Sequence, residues 1–486
     1  AFASCRAVAT ANPLAALRNP AASGCLSPTG RFALGQAFTQ LFGSTAAQTL
    51  LGGLDRLSRV NNMGDQRAVY DQLSENYAFF THNIFKITET VSLTVGARWT
   101  HEKKVFDGAF NNNNTICPQQ QAALGPLVAS SNAQLQQLAG GIVTLTCQGN
   151  SSSTLNALDL HDSFKDSEWT GTAVLSWKPL PQLLTYASYS KGYKAGGYNL
   201  DRSDLGGING VFSPRTNADA KGLRFEPEKV DAYEIGFKYN GRKFNMNVAA
   251  FRQEFKTFQL NTFNGSIFIV QNIASCKDGL NGADIDNSPV TGACSAKTKA
   301  GVISQGVEVE ASLYPIPNVA LTAGYTYADT HYRKNLVGSS TGEALSNALF
   351  LLPGSQLSNA PKHVVTGSFA WTPEIGSSGL TGLLYVDARY SSRYNTGSDL
   401  FPEKAQKGFA VVNARIGIRG RDELWALEFW GQNIFNKEYQ QVAFNTPFQG
   451  SGSIAQTAAF GVVGNQLCSS YLAEPRTYGV TLRSKF

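Results

Sequence analysis

The sequence predicts an all-β fold, a transmembrane antiparallel β-barrel, and three observations lead there. Charge is scarce: Asp, Glu, Lys and Arg make up 16% of the chain, while aromatics reach 11%. Ordinary soluble chains carry about 25% charged residues. Mean hydropathy is nevertheless −0.18, and no apolar run approaches the ~18–20 residues that a membrane-crossing helix needs. A barrel reconciles the two, because only every second residue of its strands faces lipid. The third observation is period-2 alternation in segments whose connections are by turns short and long.

Residues 1–67 precede the alternation and form one segment, with short helical turns expected within 34–60. From there to residue 486 the chain reads as one barrel region, 68–486, with a second helix-prone stretch at 119–141. "VSLTVGARW" sets Val91, Leu93, Val95, Ala97 and Trp99 against Ser92, Thr94, Gly96 and Arg98. "DAYEIGFKY", "GVEVEASLY" and "LYVDARY" alternate in the same way. About thirteen spans result, near 74–87, 91–103, 166–178, 182–193, 228–239, 243–258, 300–314, 318–331, 359–372, 379–394, 409–419, 423–437 and 475–486. "SIFIVQN" at 266–272 is read as a loop extension, since counting it as a span would put short turns on both sides.

Short turns are expected at 87–90, 179–182, 240–243, 315–318, 373–379 and 420–423, with long connections between them. Soluble domains rarely hold several loops of thirty-odd residues. Outer-membrane barrels do, with tight periplasmic turns and long extracellular loops. The last span descends to the short-turn side. Thirteen spans make the first descend too, so residues 1–67 are expected to be an extracellular loop segment. Single-chain bacterial barrels have an even number of strands, so the odd count implies the C-terminal part of a larger barrel.

Side-chain chemistry follows from this placement. Glu234, Lys238, Glu308, Glu310, Asp387, Arg389, Arg415 and Glu428 sit at the polar positions of their strands and are expected to face the lumen. Charges are costly in a dry core and normal on a wet inner wall. Trp177, Tyr239, Tyr314, Trp371 and Trp425 lie near the short turns and are read as an interfacial girdle. Of seven cysteines, six fall as neighbours in long connections: Cys5 with Cys25, Cys117 with Cys147, and Cys276 with Cys294. In an oxidising compartment, local disulfides are the natural reading, which leaves Cys468 over. Net charge is only +6, without a basic stripe, so nucleic acid is not expected as a partner. His82, His101, His161, His331 and His363 are too dispersed to suggest a metal. No cofactor and no catalytic constellation is expected, and "HDS" at 161–163 places adjacent side chains on opposite sides of an extended segment.

The segments "SENYAFFTHNIFKITETVSLTVGARWTHEKK" (74–104), "TYASYSKGYKAGGYN" (185–199), "FEPEKVDAYEIGFKY" (225–239), "SQGVEVEASLYP" (304–315), "APKHVVTGSFAW" (360–371), "GQNIFNKEY" (431–439) and the closing "RTYGVTLRSKF" resemble, in this order and spacing, the outer-membrane TonB-dependent receptors. The likeness is to the siderophore-receptor type abundant in sphingomonad-like proteobacteria. It implies a 22-stranded barrel in the cell outer membrane, with a plug domain and TonB box that are not in this chain. It also implies TonB-dependent import of a scarce small molecule or metal chelate, with ferric siderophore as the default. A passive pore, or a structural barrel subunit of an outer-membrane assembly, is the alternative. On this resemblance the lumen charges would touch the plug, and Tyr193 and Tyr198 of "GYKAGGYN" would be weak ligand contacts. Tyr478, Val480, Leu482 and the terminal Phe486 would form the signal read by the barrel assembly machinery. The implied partners are the lipid bilayer, the TonB complex, that machinery and the solute.

Overall fold

The computed structural model describes residues 28–60, 62–64, 68–147, 158–200, 205, 219–263, 268–280, 292–421, 424–445, 455, 458 and 468–485. Thirteen long strands carry the fold: β1 (Val69–Lys86), β2 (Val91–Phe110), β3 (Leu158–Leu180), β4 (Leu183–Lys194), β5 (Glu228–Asn240), β6 (Phe244–Lys256), β7 (Val302–Leu313), β8 (Val319–Tyr332), β9 (His363–Trp371), β10 (Leu380–Ser391), β11 (Phe409–Arg419), β12 (Trp425–Gln432) and β13 (Thr477–Ser484). They pair antiparallel in this order into one sheet, β1 at one margin and β13 at the other. A two-residue strand, Glu374–Ile375, pairs beside β10. Every expected span corresponds to one of these strands.

Boundaries moved where local chemistry overrides alternation. β2 and β3 run on as a paired ribbon to Phe110 and Leu158, beyond the expected limits. β12 stops at Gln432 because Asn433 and Asn436 turn into the left-handed region, at φ 46° and 52°. Asn433 then uses its amide to bond Lys437 and Glu474 main-chain carbonyls at 3.0 and 3.1 Å. The short turns lie together at one end of the sheet. In that between β1 and β2, Thr88 Oγ1 accepts the N–H groups of Thr90 and Val91 at 3.2 and 3.0 Å. The long connections leave from the opposite end. The segment around 266–272 belongs to one of them: Phe258–Phe263 and Phe268–Cys276 form a hairpin in a separate small sheet with Thr298–Ala300 and Leu336–Val337.

The register fixes two faces. One carries Ile235, Val309, Ile416, Phe429, Val480 and Leu482, among others. Much of it is bare: Ile235 is 63% exposed, Ile416 60% and Leu482 73%. Apolar area on this scale has to be covered by another apolar phase. The expected girdle residues Trp177, Tyr239, Tyr314, Trp371 and Trp425 are all exposed near the short turns. A second aromatic belt, missed in the sequence, lies towards the long connections and includes Phe79, Trp169, Tyr189, Tyr233, Tyr325 and Tyr390. Trp169 and Trp177 share a face of β3, eight residues apart. That is about 26 Å along a strand, or about 20 Å of height at the usual tilt, close to the ~25 Å apolar band of outer-membrane barrels.

The helix-prone stretches need a correction. In place of short turns there are four helices, α1 (Pro28–Phe42), α2 (Ser44–Leu57), α3 (Ile116–Val128) and α4 (Ala133–Cys147). They share a buried core that includes Leu34, Phe38, Leu50, Leu124, Ile142 and Val143. Gly53 is a packing position here: a Cβ would lie 3.1 Å from Leu124 Cδ1 and 3.4 Å from Ile142 Cγ2. Fully buried Gln120 donates to the Gly53 carbonyl (2.8 Å) and to Thr146 Oγ1 (3.0 Å), so no polar group of that contact is stranded. Pro126 falls in the last turn of α3, so the helical hydrogen bond that its missing N–H removes lies close to the end of the helix. A disulfide joins Cys117 to Cys147 across α3 and α4, and another joins Cys276 to Cys294. Cys5, Cys25 and Phe486 lie outside the described residues.

Candidate functional site: a polar wall and its loop cover

Residues paired directly across an antiparallel ladder point to the same side, so the register can be followed from strand to strand. Glu428 pairs with Gly417. Arg415, two residues from Gly417, pairs with Tyr385, and Asp387 with Asn413. Asp387 also pairs with Ser368, and Arg389 with Thr366. Thr366 and Ser368 pair with Gly324 and Thr322, and Gly324 and Thr326 with Glu310 and Glu308. Glu310 pairs with Asn247, Asn247 with Lys238, and Ser188 with Glu234. All eight expected wall residues thus share one face, between Ser, Thr, Asn and Gly. Polar alternation along each strand is the reason.

They form patches rather than one constellation. Glu428 is 1% exposed and accepts from Arg415 and Arg419, each at 3.2 Å. Asn413 donates to Asp387 at 2.8 Å. Tyr186 Oη donates to Glu234 at 2.6 Å, and the Lys238 ammonium lies 6.0 Å from the Tyr186 ring centroid. Asn247 reaches Glu310 at 3.4 Å. Tyr385, Asp387, Asn413, Arg415, Trp430 and Thr481 line a shallow pocket on this face, with Trp430 Nε1 donating to Thr481 at 3.1 Å. Tyr186 and Trp430 were missed in the sequence, although each sits on the polar parity of its strand. Replacing Glu428 with Ala should destabilise by about 1–3 kcal/mol, since two arginines lose a buried acceptor. Arg415 and Arg419 keep some solvent access, which holds the loss below that of a fully buried pair. Urea titration of the receptor in vesicles measures it; a loss no larger than for Arg389→Ala would contradict the clamp.

Beyond the wall, a loop covers the polar-parity side of the β2–β3 ribbon. Phe106 and Phe110 bury against Tyr198, Leu205 and Leu223, with Leu158, Leu160 and Phe164 packed alongside. The Tyr198 ring stacks on Phe106 at 4.7 Å and is 6% exposed. Its hydroxyl donates to Asp162 at 2.8 Å, and the Arg224 guanidinium grips the same carboxylate through two nitrogens. Tyr193 places its hydroxyl 3.3 Å from both Glu102 and Asp166. The two expected ligand contacts are therefore engaged within the protein, Tyr198 in a packed cluster. Asn199 acts as a strand partner: its side chain accepts from Val270 N at 2.8 Å and donates to Val270 O at 3.0 Å. Glu226 accepts from Ser340 N at 2.9 Å and from its hydroxyl at 2.5 Å, which ties in a third loop.

Burial works against ionisation of Asp162, but the hydrogen bonds from Arg224 and Tyr198 outweigh it and hold its carboxyl below the usual range. Burial, reinforced by Asp162, raises the Tyr198 phenol. A carboxylate with a depressed folded pKa stabilises above its unfolded value and loses that contribution as pH falls through the folded one. Amide exchange in 219–225, corrected for intrinsic rates, should match at pH 7 and pH 5 and rise only below about pH 4. Asp162→Asn should raise it at pH 7; loosening already at pH 5–6 would contradict the assignment. Cys468 is a half-buried free thiol on the strand Cys468–Leu472, and burial pushes its pKa up, away from reactivity.

The sequence profile of the family described as "TonB dependent receptor-like, beta-barrel" matches residues 20–434. The ferric-pyoverdine M114 receptor of Pseudomonas sp. (strain M114) is 22% identical over 279 residues, 57% of this chain and 27% of that protein. Among solved structures, the ferric yersiniabactin uptake receptor of Yersinia pestis superposes with a TM-score of 0.56 at 14% identity, covering 86% of this chain and 47% of that one. The siderophore receptor PiuA of Acinetobacter baumannii gives 0.50 at 16% identity, covering 85% and 43%. The chain thus spans about a quarter of the curated relative and under half of each solved structure. At these identities the structural likeness is one of fold.

Proposed function

The chain belongs to the TonB-dependent receptor-like β-barrel family, an outer-membrane transporter family rather than an enzyme family, and from that premise we propose that it forms part of the wall of an energy-coupled importer. In this reading the long connections face the cell exterior and the short turns the periplasm. The external loops capture a scarce solute, of which a ferric siderophore is the first candidate. TonB, acting through a plug domain, opens the lumen to it. The observation that carries the reading is the two-faced sheet: eight charged side chains on one face, and a bare apolar face with two aromatic belts on the other. A polar wall of this kind suits a hydrated passage, and Glu308 and Arg389 form no hydrogen bond among the described residues, so they are open to an occupant of the lumen. In the same reading Tyr478, Val480 and Leu482, on the apolar parity of β13, belong with Phe486 to the signal that the assembly machinery reads.

The test is uptake of radiolabelled ferric siderophores by cells that express the full-length receptor as their sole importer, with and without a functional TonB. Uptake that needs TonB and saturates at low concentration supports the proposal. Entry that is linear in concentration and indifferent to TonB would instead favour a passive pore.

A further inference from the structure

On the lipid-facing parity of the β1–β2–β3 ribbon, the register stacks side chains in rows. Phe79, Trp99 and Trp169 form one row, Tyr77, His101 and Ser167 the next, and Glu75, Lys103 and Lys165 the row after that. Two lysines therefore stand directly opposite each other on neighbouring strands, an arrangement that is destabilising unless an anion lies between them. Lys103 reaches Glu75 only at 3.5 Å. Lys165 is exposed and forms no ion pair or hydrogen bond among the described residues. Basic residues elsewhere on this face are matched: Lys256 with Asp231 at 2.7 Å, Lys362 with Asp329 at 2.8 Å and Arg252 with Glu254 at 2.7 Å. The unmatched charge is thus local to this ribbon.

Its height is informative. Lys165 lies four residues beyond Trp169 in the direction of the long connections. That is about 13 Å along the strand, or about 10 Å of height at the usual tilt of barrel strands. If the aromatic row marks the edge of the hydrocarbon, the two ammonium groups stand at the level of lipid phosphates. Below them, Phe79 and Trp99 stack at 6.2 Å, with Trp169 directly opposite Trp99, a rigid apolar platform for an acyl chain.

We infer that Lys103 and Lys165, with the Phe79–Trp99–Trp169 platform, form a binding site for a phosphorylated lipid of the leaflet that the long connections cross. The lipid phosphate would lie between the two ammonium groups and its chain along the aromatic row. The site goes beyond the import reading and needs only the membrane placement of the barrel, so failure of transport would leave it standing.

The experiment compares the full-length receptor with its K103Q/K165Q variant in phosphatidylcholine nanodiscs that contain bis-phosphorylated lipid A. Lipid A retained per receptor is read by native mass spectrometry. Retention should fall roughly fivefold for each lysine removed, while K256Q, on the same face, should match the wild type. Equal retention by wild type and the double variant would overturn the site. So would equal retention of dephosphorylated lipid A by the wild type, because the phosphate would then do nothing. Equal affinity for inorganic phosphate and for lipid A would also overturn it, since the site would then hold a free anion and gain nothing from the acyl chain. Should the double variant fail to insert, the comparison of phosphorylated with dephosphorylated lipid A on the wild type still decides.

Discussion

Val309→Arg is expected to destabilise the barrel by about 1–3 kcal/mol, because an arginine on the lipid face costs about 2–4 kcal/mol at the bilayer midplane and less towards the aromatic belt, where Tyr325 is its cross-strand neighbour. Val309 lies well inside β7 and is flanked by Val248 and Tyr325 on the same side. One residue away on either side, Glu308 and Glu310 already carry charge on the opposite face. Glu310→Arg should therefore cost under about 1 kcal/mol, because a long polar side chain there stays in water. Both values come from urea titration of the full-length receptor folded into phosphatidylcholine vesicles, followed by tryptophan fluorescence. Similar costs for the two substitutions would mean that the faces are assigned wrongly, and with them the polar wall. The contrast is worth more than either number, since both variants share one strand and one depth.

The second large effect is confined to the helices. Replacing Cys117 and Cys147 together by Ser removes a link between residues 30 apart in sequence, worth about 3.6 kcal/mol in the loop-entropy account. The helices it joins have 13 and 15 residues, too short to stand by themselves in water. Their remaining support is the small core around Leu50, Leu124 and Ile142 and the Gln120 hydrogen bonds. Limited proteolysis within 116–147 should accelerate by roughly a few hundredfold in the double variant. The unfolding transition of the strands should not move. Cleavage that is equally slow with and without the disulfide would show that packing alone holds the helices.

The strands were legible because their signal is local. Val91 to Trp99 reports a lipid-facing stripe without reference to any distant residue, and Glu308 and Glu310 report the other face just as directly. The helical segments were only half legible. Glycine and proline ordinarily weaken a helix, but Gly53 is small because Leu124, 71 positions later, needs the space. The loop cover was not legible at all. Phe106 and Tyr198 meet across 92 positions, and Asn199 completes the ladder of Val270 in another loop. No periodicity marks such partners. The second aromatic belt was not legible for a different reason: its members sit inside long strands, with no turn residues beside them to mark the edge of the membrane.

The strict pairing of neighbouring strands has a genetic consequence. Deleting one codon inside β7 would turn every side chain beyond it over, sending Glu308 or Glu310 towards lipid. A one-codon loss in the stretch between β12 and β13 would change only the length of a connection. Tolerated length variation among natural alleles should thus come in blocks, absent from the thirteen strands and frequent in the long connections. Deep sequencing of a library of single-codon deletions, selected for receptor assembly, would draw the same map residue by residue.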